Sequence, residues 1–193
     1  MTIINCCELI KSDFYRLHKK GLKKYRILFH FSFIITFWYR ICNLLSTRES
    51  LFAKLLLLVS YVIYSIVQLV TGIQIPRYTK VGKGLCFMHH SCIVIAGGTI
   101  IGDNCSIHQG VTLGRSFSGI NSGCPNIGNN VIIFPGAKII GNIKIGDNAI
   151  IAANAVVIKD VPSGAVVAGI PAKTIKNDSI SCIDEEWRHY FYN

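Results

Sequence analysis

Acidic side chains are scarce in this chain of 193 residues, which carries 10 Asp and Glu against 20 Lys and Arg, a formal charge of +10. Cys-x-x-Cys pairs are absent, and the eight cysteines are scattered over positions 6, 7, 42, 86, 92, 105, 124 and 182. Zinc cages and disulfide frameworks use closely spaced cysteines, so we expect reduced thiols and no structural disulfide. Met1 is followed by TIINCCELIKSD in place of the short basic start, apolar core and cleavage site of a signal peptide, so we expect the protein to stay in the cytoplasm.

Positive charge is concentrated in the first 80 residues, which hold twelve Lys and Arg against three acids. The basic segment KSDFYRLHKKGLKKYR, residues 11–26, directly precedes the apolar segment ILFHFSFIITFWY, residues 27–39. That order is typical of a chain that meets an anionic membrane surface. A nucleic-acid-binding arm would also be basic, but the long apolar runs and the lack of a known motif argue against a nucleic-acid partner.

A second apolar segment, residues 55–76, contains no charged side chain and is long enough to cross a membrane as a helix. Basic residues lie beyond both outer ends of the two apolar segments, so there is no clear positive-inside signal. We therefore favour a helical pair that is peripheral or monotopic at the cytoplasmic face of the inner membrane over a clean span. A helical cap buried in an oligomer is the alternative.

The second half of the chain repeats with a period of six. One aliphatic side chain recurs without a slip at Ile127, Ile133, Ile139, Ile145, Ile151 and Val157. The same unit runs earlier from Ile101, Ile107 and Leu113, and in another phase from Val81, Phe87 and Ile93. The two breaks add two residues each beyond a multiple of six, where we expect loops to leave. A period of six fits neither a continuous helix nor a simple strand, but it fits short strands stacked three to a coil in a parallel β-helix.

The repeats resemble those of the hexapeptide-repeat acyltransferases. The strings VGKGLCFMHHSCIVIAGGTIIGDNCSIHQGVTLG, residues 81–114, and CPNIGNNVIIFPGAKIIGNIKIGDNAIIAANAVVIKDVPSGAVVAGIPAK, residues 124–173, are similar to serine acetyltransferases and their relatives that O-acetylate capsule and exopolysaccharide sugars. The resemblance implies a left-handed β-helix, acetyl-CoA as acyl donor and a homotrimer with sites between subunits. We predict a mainly β protein with a helical arm at 1–72, a left-handed β-helix acetyltransferase domain at 73–176 and a tail at 177–193.

The histidine pair His89 and His90 has no carboxylate in the surrounding residues 83–98. In the phase set by Phe87 both imidazoles point outward, and an outward imidazole can take a proton from a hydroxyl near neutral pH. For an arbitrary pair, solvated surface histidines are the alternative. The resemblance places the general base on His89 and leaves His90 as a polar lining residue of the acceptor site.

Serine acetyltransferases have charged side chains at the positions that bind the acceptor, and the corresponding positions of this chain are uncharged. By the resemblance, the acid before the base is Met88, the acid in the strand entering the β-helix is Gln74, and the loop Arg-His becomes Gly123 and Cys124. Serine presents an ammonium and a carboxylate, and burying either without a partner is costly. We therefore predict direct acetyl transfer, with His89 as base, to a free or lipid-linked sugar hydroxyl of a capsular polysaccharide, exopolysaccharide or O-antigen. Serine O-acetylation and a non-catalytic, membrane-held scaffold are the alternatives.

Further residues are candidates for lining the site. His108 and Gln109 project from the next coil toward the acceptor, with surface decoration as the alternative. Cys124 is expected to contact the acceptor from a loop, and we expect no nucleophile there, since no helix N-terminus or adjacent base lowers its pKa. The histidines lack the spacing of a three-imidazole zinc site, so no metal is expected. The resemblance assigns coenzyme contacts to Arg115, Pro135, Ala153, Gly169 and Lys173.

Overall fold

A computed structural model describes residues 2–19, 21–119, 121–179, 181 and 183. Within them, four helices come first: α1 Ile3–Lys19, α2 Lys24–Ile27, α3 Phe31–Ser46 and α4 Leu51–Thr71. Fifteen short strands follow: β1 Ile73–Gln74, β2 Lys80–Val81, β3 Cys86–Phe87, β4 Ile93–Ile95, β5 Ile100–Ile101, β6 Ser106–Ile107, β7 Thr112–Gly114, β8 Asn126–Ile127, β9 Ile132–Ile133, β10 Lys138–Ile140, β11 Lys144–Ile145, β12 Ile150–Ile151, β13 Val156–Val157, β14 Val166–Gly169 and β15 Ala172–Lys176. The predicted helical arm thus precedes a run of strands short enough for a six-residue repeat.

The strands form three parallel sheets that coil into a left-handed β-helix. Their orders are β1-β4-β7-β10-β13, β2-β5-β8-β11 and β3-β6-β9-β12-β14, with β15 added antiparallel to the end of the third sheet. The register sets equivalent residues of successive coils opposite each other, as with Ile107, Ile133 and Ile151. All three are fully buried, so one aliphatic side chain per strand builds the core layer by layer.

Two connections are longer than the six-residue repeat allows. Phe87 lies opposite Ile107 and Ile95 opposite Leu113, so eight residues of the first coil match six of the next. The two extra residues therefore fall in the corner between β3 and β4. The sequence placed this break after Ile93, but it comes earlier, because Ile95 and not Ile93 pairs with Leu113. The second break lies between β7 and β8, where the predicted loop leaves the coil.

Buried polar groups fix the helices to the first coils of the β-helix. Arg40 of α3 donates from Nε to Asp13 of α1 at 3.2 Å and from a terminal nitrogen to the carbonyl of Val81 at 2.7 Å. Asp13 also accepts the backbone N–H of Leu85 at 3.0 Å. Burial raises the pKa of Asp13, and the charge of Arg40 opposes that rise. Removing either partner would leave a buried charge, so the pair ties helix packing to the first coil.

The predicted division into an arm at 1–72, a β-helix at 73–176 and a tail at 177–193 stays a prediction. Helix α4 ends at Thr71 and β1 begins at Ile73, on either side of Gly72 in the left-handed conformation. Most of the predicted tail at 177–193 lies outside the described residues. By length and composition α4 could cross a membrane, but such a helix alone is weak evidence for a span.

Candidate active site

The two inserted residues of the first coil are His89 and His90, and the end of α4 supports the turn that carries them. The backbone N–H of Ser91 donates to the carbonyl of Thr71 at 2.8 Å. Gly72 has a φ of 64°, and a Cβ there would lie 3.1 Å from the Cα of Ser91. Glycine at this position avoids both a side chain at positive φ and this close contact. His89 is exposed on the supported turn, where a base can reach a substrate.

His90 contacts the helical arm. Its ring centroid lies 5.0 Å from that of Phe31 at the start of α3. His90 also lines a cavity of about 260 Å³ together with Phe29, Phe31 and Val70. Since these neighbours belong to the arm, the acceptor contact predicted for His90 stays a prediction.

His108 on the next coil stands beside the proposed base. The ring centroids of His89 and His108 are 6.2 Å apart with an interplanar angle of 48°. The Nδ1–H of His108 donates to the carbonyl of Ile133 at 2.9 Å, and its ring stacks on Phe134 at 5.0 Å. A carbonyl can only accept, so neutral His108 carries its proton on Nδ1 and its lone pair on Nε2. At 7% exposure the ring is held rigidly.

Gln109 follows His108 and has an unsatisfied acceptor. Its Oε1 is buried without a hydrogen-bond partner among the described residues. Leaving a buried carbonyl unpaired costs about 1–3 kcal/mol, so a bound molecule that donates a hydrogen bond to this atom would bind more tightly. The sequence placed Gln109 on the acceptor side, and its orphan oxygen gives it a chemical reason to be there.

A ladder of backbone hydrogen bonds links the histidine turn to the later coils. Gly110 donates to the carbonyl of Ser91 at 3.1 Å, and Gly136 donates to that of Gln109 at 2.9 Å. Asn154 donates in turn to the carbonyl of Pro135 at 2.9 Å. These bonds stack Ser91, Gln109, Pro135 and Ala153 along one corner of the β-helix. Two of the predicted coenzyme positions therefore lie on the corner that begins beside His89.

The other predicted coenzyme residues lie on two further elements. Arg115 is exposed after β7, with its guanidinium 5.9 Å from the ring centroid of Phe117. Gly169 ends β14 and lies opposite Ala172, while Lys173 of β15 lies opposite Ala168. Gly169 and Lys173 thus occupy the antiparallel hairpin at the end of the β-helix, apart from Arg115.

The three uncharged acceptor positions have separate surroundings. Gln74 is exposed on β1 opposite Val94 and lines a cavity of about 540 Å³ with Arg77. Met88 packs against the arm in a cluster built around Phe33 and Cys86. The Cys124 thiol donates to the carbonyl of Gly97 at 3.1 Å, which anchors the loop between β7 and β8 to the preceding coil. That anchoring role was not visible in the sequence, because no repeat relates the two positions.

A metal centre has no support from side-chain clustering in the part of the chain that the structure describes. No three His, Cys, Asp or Glu side chains there lie close enough together to hold an ion. The rings of His89 and His108 lie 6.2 Å apart, and two imidazoles alone do not make a zinc site.

Comparison with known proteins identifies the repeat and its relatives. A family model described as bacterial transferase hexapeptide (six repeats) matches residues 125–159. The serine acetyltransferase of Helicobacter pylori is 37% identical over 140 residues, which cover 72% of this chain and 78% of that protein. Serine acetyltransferases of Staphylococcus aureus are 46% identical over 110 residues, 57% of this chain. The chain spans about half the length of these S. aureus relatives, 52%.

Solved structures extend the similarity over the helices. The serine acetyltransferase of Neisseria gonorrhoeae in complex with serine superposes with a TM-score of 0.76 at 31% identity, covering 90% of this chain and 71% of that one. The serine acetyltransferase of Brucella abortus in complex with coenzyme A gives a TM-score of 0.79 at 26% identity, covering 91% and 70%. The predicted left-handed β-helix of hexapeptide repeats with N-terminal helices is confirmed.

The prediction of a polysaccharide acceptor is wrong, because the relatives and solved structures reported above are serine acetyltransferases. That prediction relied on the missing charges at Gln74, Met88 and Cys124. The uncharged side chains at these three positions show only that they do not form ion pairs with the ammonium or carboxylate of serine. They do not exclude hydrogen bonds from serine to other groups, such as the buried oxygen of Gln109. The negative evidence was therefore too weak to choose the acceptor.

Proposed function

Because the chain belongs to the serine acetyltransferase family of hexapeptide transferases, we propose that it transfers the acetyl group of acetyl-CoA to the hydroxyl of serine. The geometric observation that carries this proposal is the exposed His89 on the inserted turn, with His108 behind it. A base in that position can reach a hydroxyl delivered from solvent.

The proposed chemistry needs one base and no covalent enzyme intermediate. His89 takes the proton of the serine hydroxyl as the oxygen attacks the thioester carbonyl, which gives a tetrahedral intermediate. Backbone N–H groups stabilise the developing oxyanion. The carbon–sulfur bond then breaks, the sulfur takes up the proton from the imidazolium of His89, and coenzyme A leaves as the free thiol.

His108 is proposed to position His89. A carboxylate is the usual partner that orients a catalytic imidazole, and none lies in residues 83–98. A centroid separation of 6.2 Å is too long for a direct bond between the rings, so Nε2 of His108 would act through one water or after a small rotation of His89. The hydrogen bond to Ile133 keeps that nitrogen an acceptor, so the nitrogen of His89 that faces it would carry the proton and the other nitrogen of His89 would be the base.

Gln109 is proposed to receive a donor from the acceptor molecule. Its Oε1 is enclosed in this structure, so the side chain would rotate on binding to accept an N–H of the serine ammonium, a role that a neutral carbonyl can fill. Gln109 follows His108 in the chain and stacks on Ser91, two residues after His89. The amide would therefore help to recognise serine close to the base.

The coenzyme is proposed to run along the corner ladder. The positions of Pro135 and Ala153 on one line with Ser91 support a pantetheine arm that lies across successive coils. Arg115, Gly169 and Lys173 remain proposed coenzyme contacts, with the two cations suited to the phosphates. We also propose a homotrimer in which a neighbouring subunit completes the groove.

A thiol-release assay tests this function. The purified chain is given acetyl-CoA with and without serine, and His89→Ala is compared with the matched control His18→Ala on α1. We expect serine-dependent release that falls about a hundredfold or more in His89→Ala, with unchanged coenzyme A binding, and normal rates in the control. Absence of serine-stimulated release from a folded, coenzyme-binding wild type would refute the acceptor. A folded protein that neither binds coenzyme A nor releases thiol would favour the alternative of a non-catalytic scaffold.

A further inference from the structure

Helix α4 turns most of its large apolar side chains outward, although Leu57 and Val67 pack against the core and Lys54 and Ser65 are exposed. Among its buried residues are Ser60, Tyr64 and Thr71. Its exposed large apolar residues are Leu51, Phe52, Leu55, Leu56, Leu58, Val59, Tyr61, Val62, Ile66, Leu69 and Val70. Only 17% of its most apolar 18-residue window is buried. A surface helix of a soluble protein has the opposite arrangement, so this face is built to meet an apolar medium.

Hydrogen bonds to the β-helix hold the inward face in place. The hydroxyl of Tyr64 donates to the carbonyl of Ile75 at 2.5 Å. The side-chain Oε1 of Gln68 accepts the backbone N–H of the same Ile75 at 3.0 Å. Surrounding α4 with lipid would break these bonds and expose polar groups to hydrocarbon. The helix therefore fits a position along the surface of a membrane better than one across it.

The apolar surface continues from α4 onto the connection between α2 and α3. Phe29 and Val70 line the same cavity, so the connection between α2 and α3 lies beside the last turn of α4. Both side chains are largely exposed, and so is Leu28. We call the exposed large apolar residues of α4, together with Phe29, the outer apolar face.

Positive charge borders this face. Lys23, Lys24 and Arg26 are exposed directly before Leu28 and Phe29. Arg77 lies 5.1 Å from the ring centroid of Tyr61 on α4. Residues 21–72 contain six Lys and Arg and a single acid. An anionic lipid surface complements this charge, whereas a second copy of the same face would repel it.

We propose that the outer apolar face docks into the interfacial layer of an anionic phospholipid bilayer, with α4 lying along the surface. The apolar side chains enter the boundary between headgroups and acyl chains, and the flanking cations contact the anionic headgroups. Because the end of α4 supports Ser91, the docked protein holds the turn of His89 and His90 close to the membrane. This inference does not depend on serine being the acceptor.

Vesicle flotation tests the docking, because it separates bound protein from aggregates. The full chain is mixed with vesicles of phosphatidylcholine alone or with a quarter phosphatidylglycerol. The double variant Leu58→Gln/Val62→Gln removes two side chains of the outer apolar face, and Phe117→Gln removes an even more exposed apolar side chain outside it. We expect wild type and Phe117→Gln to float with the anionic vesicles, and the double variant to bind about tenfold more weakly or worse. Equal binding of the double variant and wild type would overturn the proposal, as would failure of the wild type to float.

Two further measurements separate lipid from the competing occupants. Sedimentation velocity without vesicles reports whether the face joins copies of the chain, and we expect the same assembly size for wild type and the double variant. A smaller assembly for the double variant, with no vesicle binding by wild type, would make the face a protein interface. Alkaline carbonate should release the docked protein from vesicles. Retention in the vesicles would indicate a spanning helix and contradict the placement along the surface.

Discussion

The imidazole rings of His89 and His108 lie on successive coils with their centroids 6.2 Å apart. The two rings have different surroundings, since His89 is exposed while His108 is bonded to Ile133 and stacked on Phe134. In its neutral form His108 presents Nε2 as an acceptor, and an exposed base beside such an acceptor is an alternative to the imidazole–carboxylate pair. This relationship and the orphan oxygen of Gln109 lead to the first two predictions.

His108→Phe should slow catalysis without weakening substrate binding. The substitution keeps an aromatic ring against Phe134 but removes Nε2, so His89 loses its proposed orienting partner. We expect kcat to fall about 10- to 100-fold, with little change in the KM for serine or the KM for acetyl-CoA, as measured by steady-state thiol release. The control Phe134→Leu removes the stacking and retains the nitrogen, so it should cost much less. Equal losses in both variants would mean that His108 acts only through packing.

Gln109→Leu should weaken the binding of serine and leave the binding of acetyl-CoA unchanged. Leucine fills similar space without an oxygen, so the proposed ammonium contact disappears. We expect the KM for serine to rise about tenfold, which corresponds to the loss of one hydrogen bond between a neutral carbonyl and a charged ammonium. The KM for acetyl-CoA should not change. Steady-state kinetics with each substrate varied in turn measure both values. An unchanged KM for serine would remove Gln109 from the acceptor site.

Gly72→Ala should destabilise the fold and slow the reaction. A side chain at Gly72 has to adopt a φ of 64° and comes 3.1 Å from Ser91, which displaces the turn that carries His89. We expect a loss of about 2 kcal/mol or more in urea unfolding, and a lower kcat. Gly21→Ala is the matched control, because Gly21 also has a positive φ, 81°, but open space around its Cα. If both variants lose the same stability, the close approach to Ser91 carries no cost.

A rise to alkaline pH should cost the wild type more stability than it costs Tyr39→Phe. Burial raises the pKa of Tyr39 from its ordinary value of 10 to about 12, and its hydroxyl donates to the carbonyl of Thr79. The neutral phenol is favoured in the folded state, so the stability it contributes is present below pH 10 and is lost as pH rises toward 12. We expect the wild type to lose about 2–3 kcal/mol more than Tyr39→Phe between pH 9 and 12 in urea titrations. Parallel losses in the two proteins would show that other groups dominate alkaline unfolding.

The sequence predicted the β-helix well because its physical cause is local and repeated. One aliphatic residue such as Ile133 or Ile151 in every strand leaves a six-residue period that no other element produces. The exact position of the first break was harder, since Ile93 and Ile95 are both buried and either could have continued the period. Pairing with Leu113 decides between them, and pairing is not visible in a single sequence.

The site was only partly predictable for the same reason. His89 is distinguished by family resemblance, but its approach to His108 depends on which coil residues stack. The unpaired oxygen of Gln109 and the anchoring of Cys124 on Gly97 are long-range packing results with no sequence signal. The acceptor was mispredicted because absent charges were read as positive evidence. The amphipathic character of α4 could have been read from the sequence, but not which side faces the β-helix.

Direct detection of the product tests the central claim best. Acetyl-CoA carrying a ¹³C-labelled acetyl group is incubated with serine and the full chain, and the reaction is followed by NMR. The account predicts a growing O-acetylserine signal in wild type, none above background in His89→Ala, and an unchanged rate in His18→Ala. An acetyl signal that grows equally in His89→Ala, or label that remains on coenzyme A in the presence of folded, coenzyme-binding wild type, would contradict it.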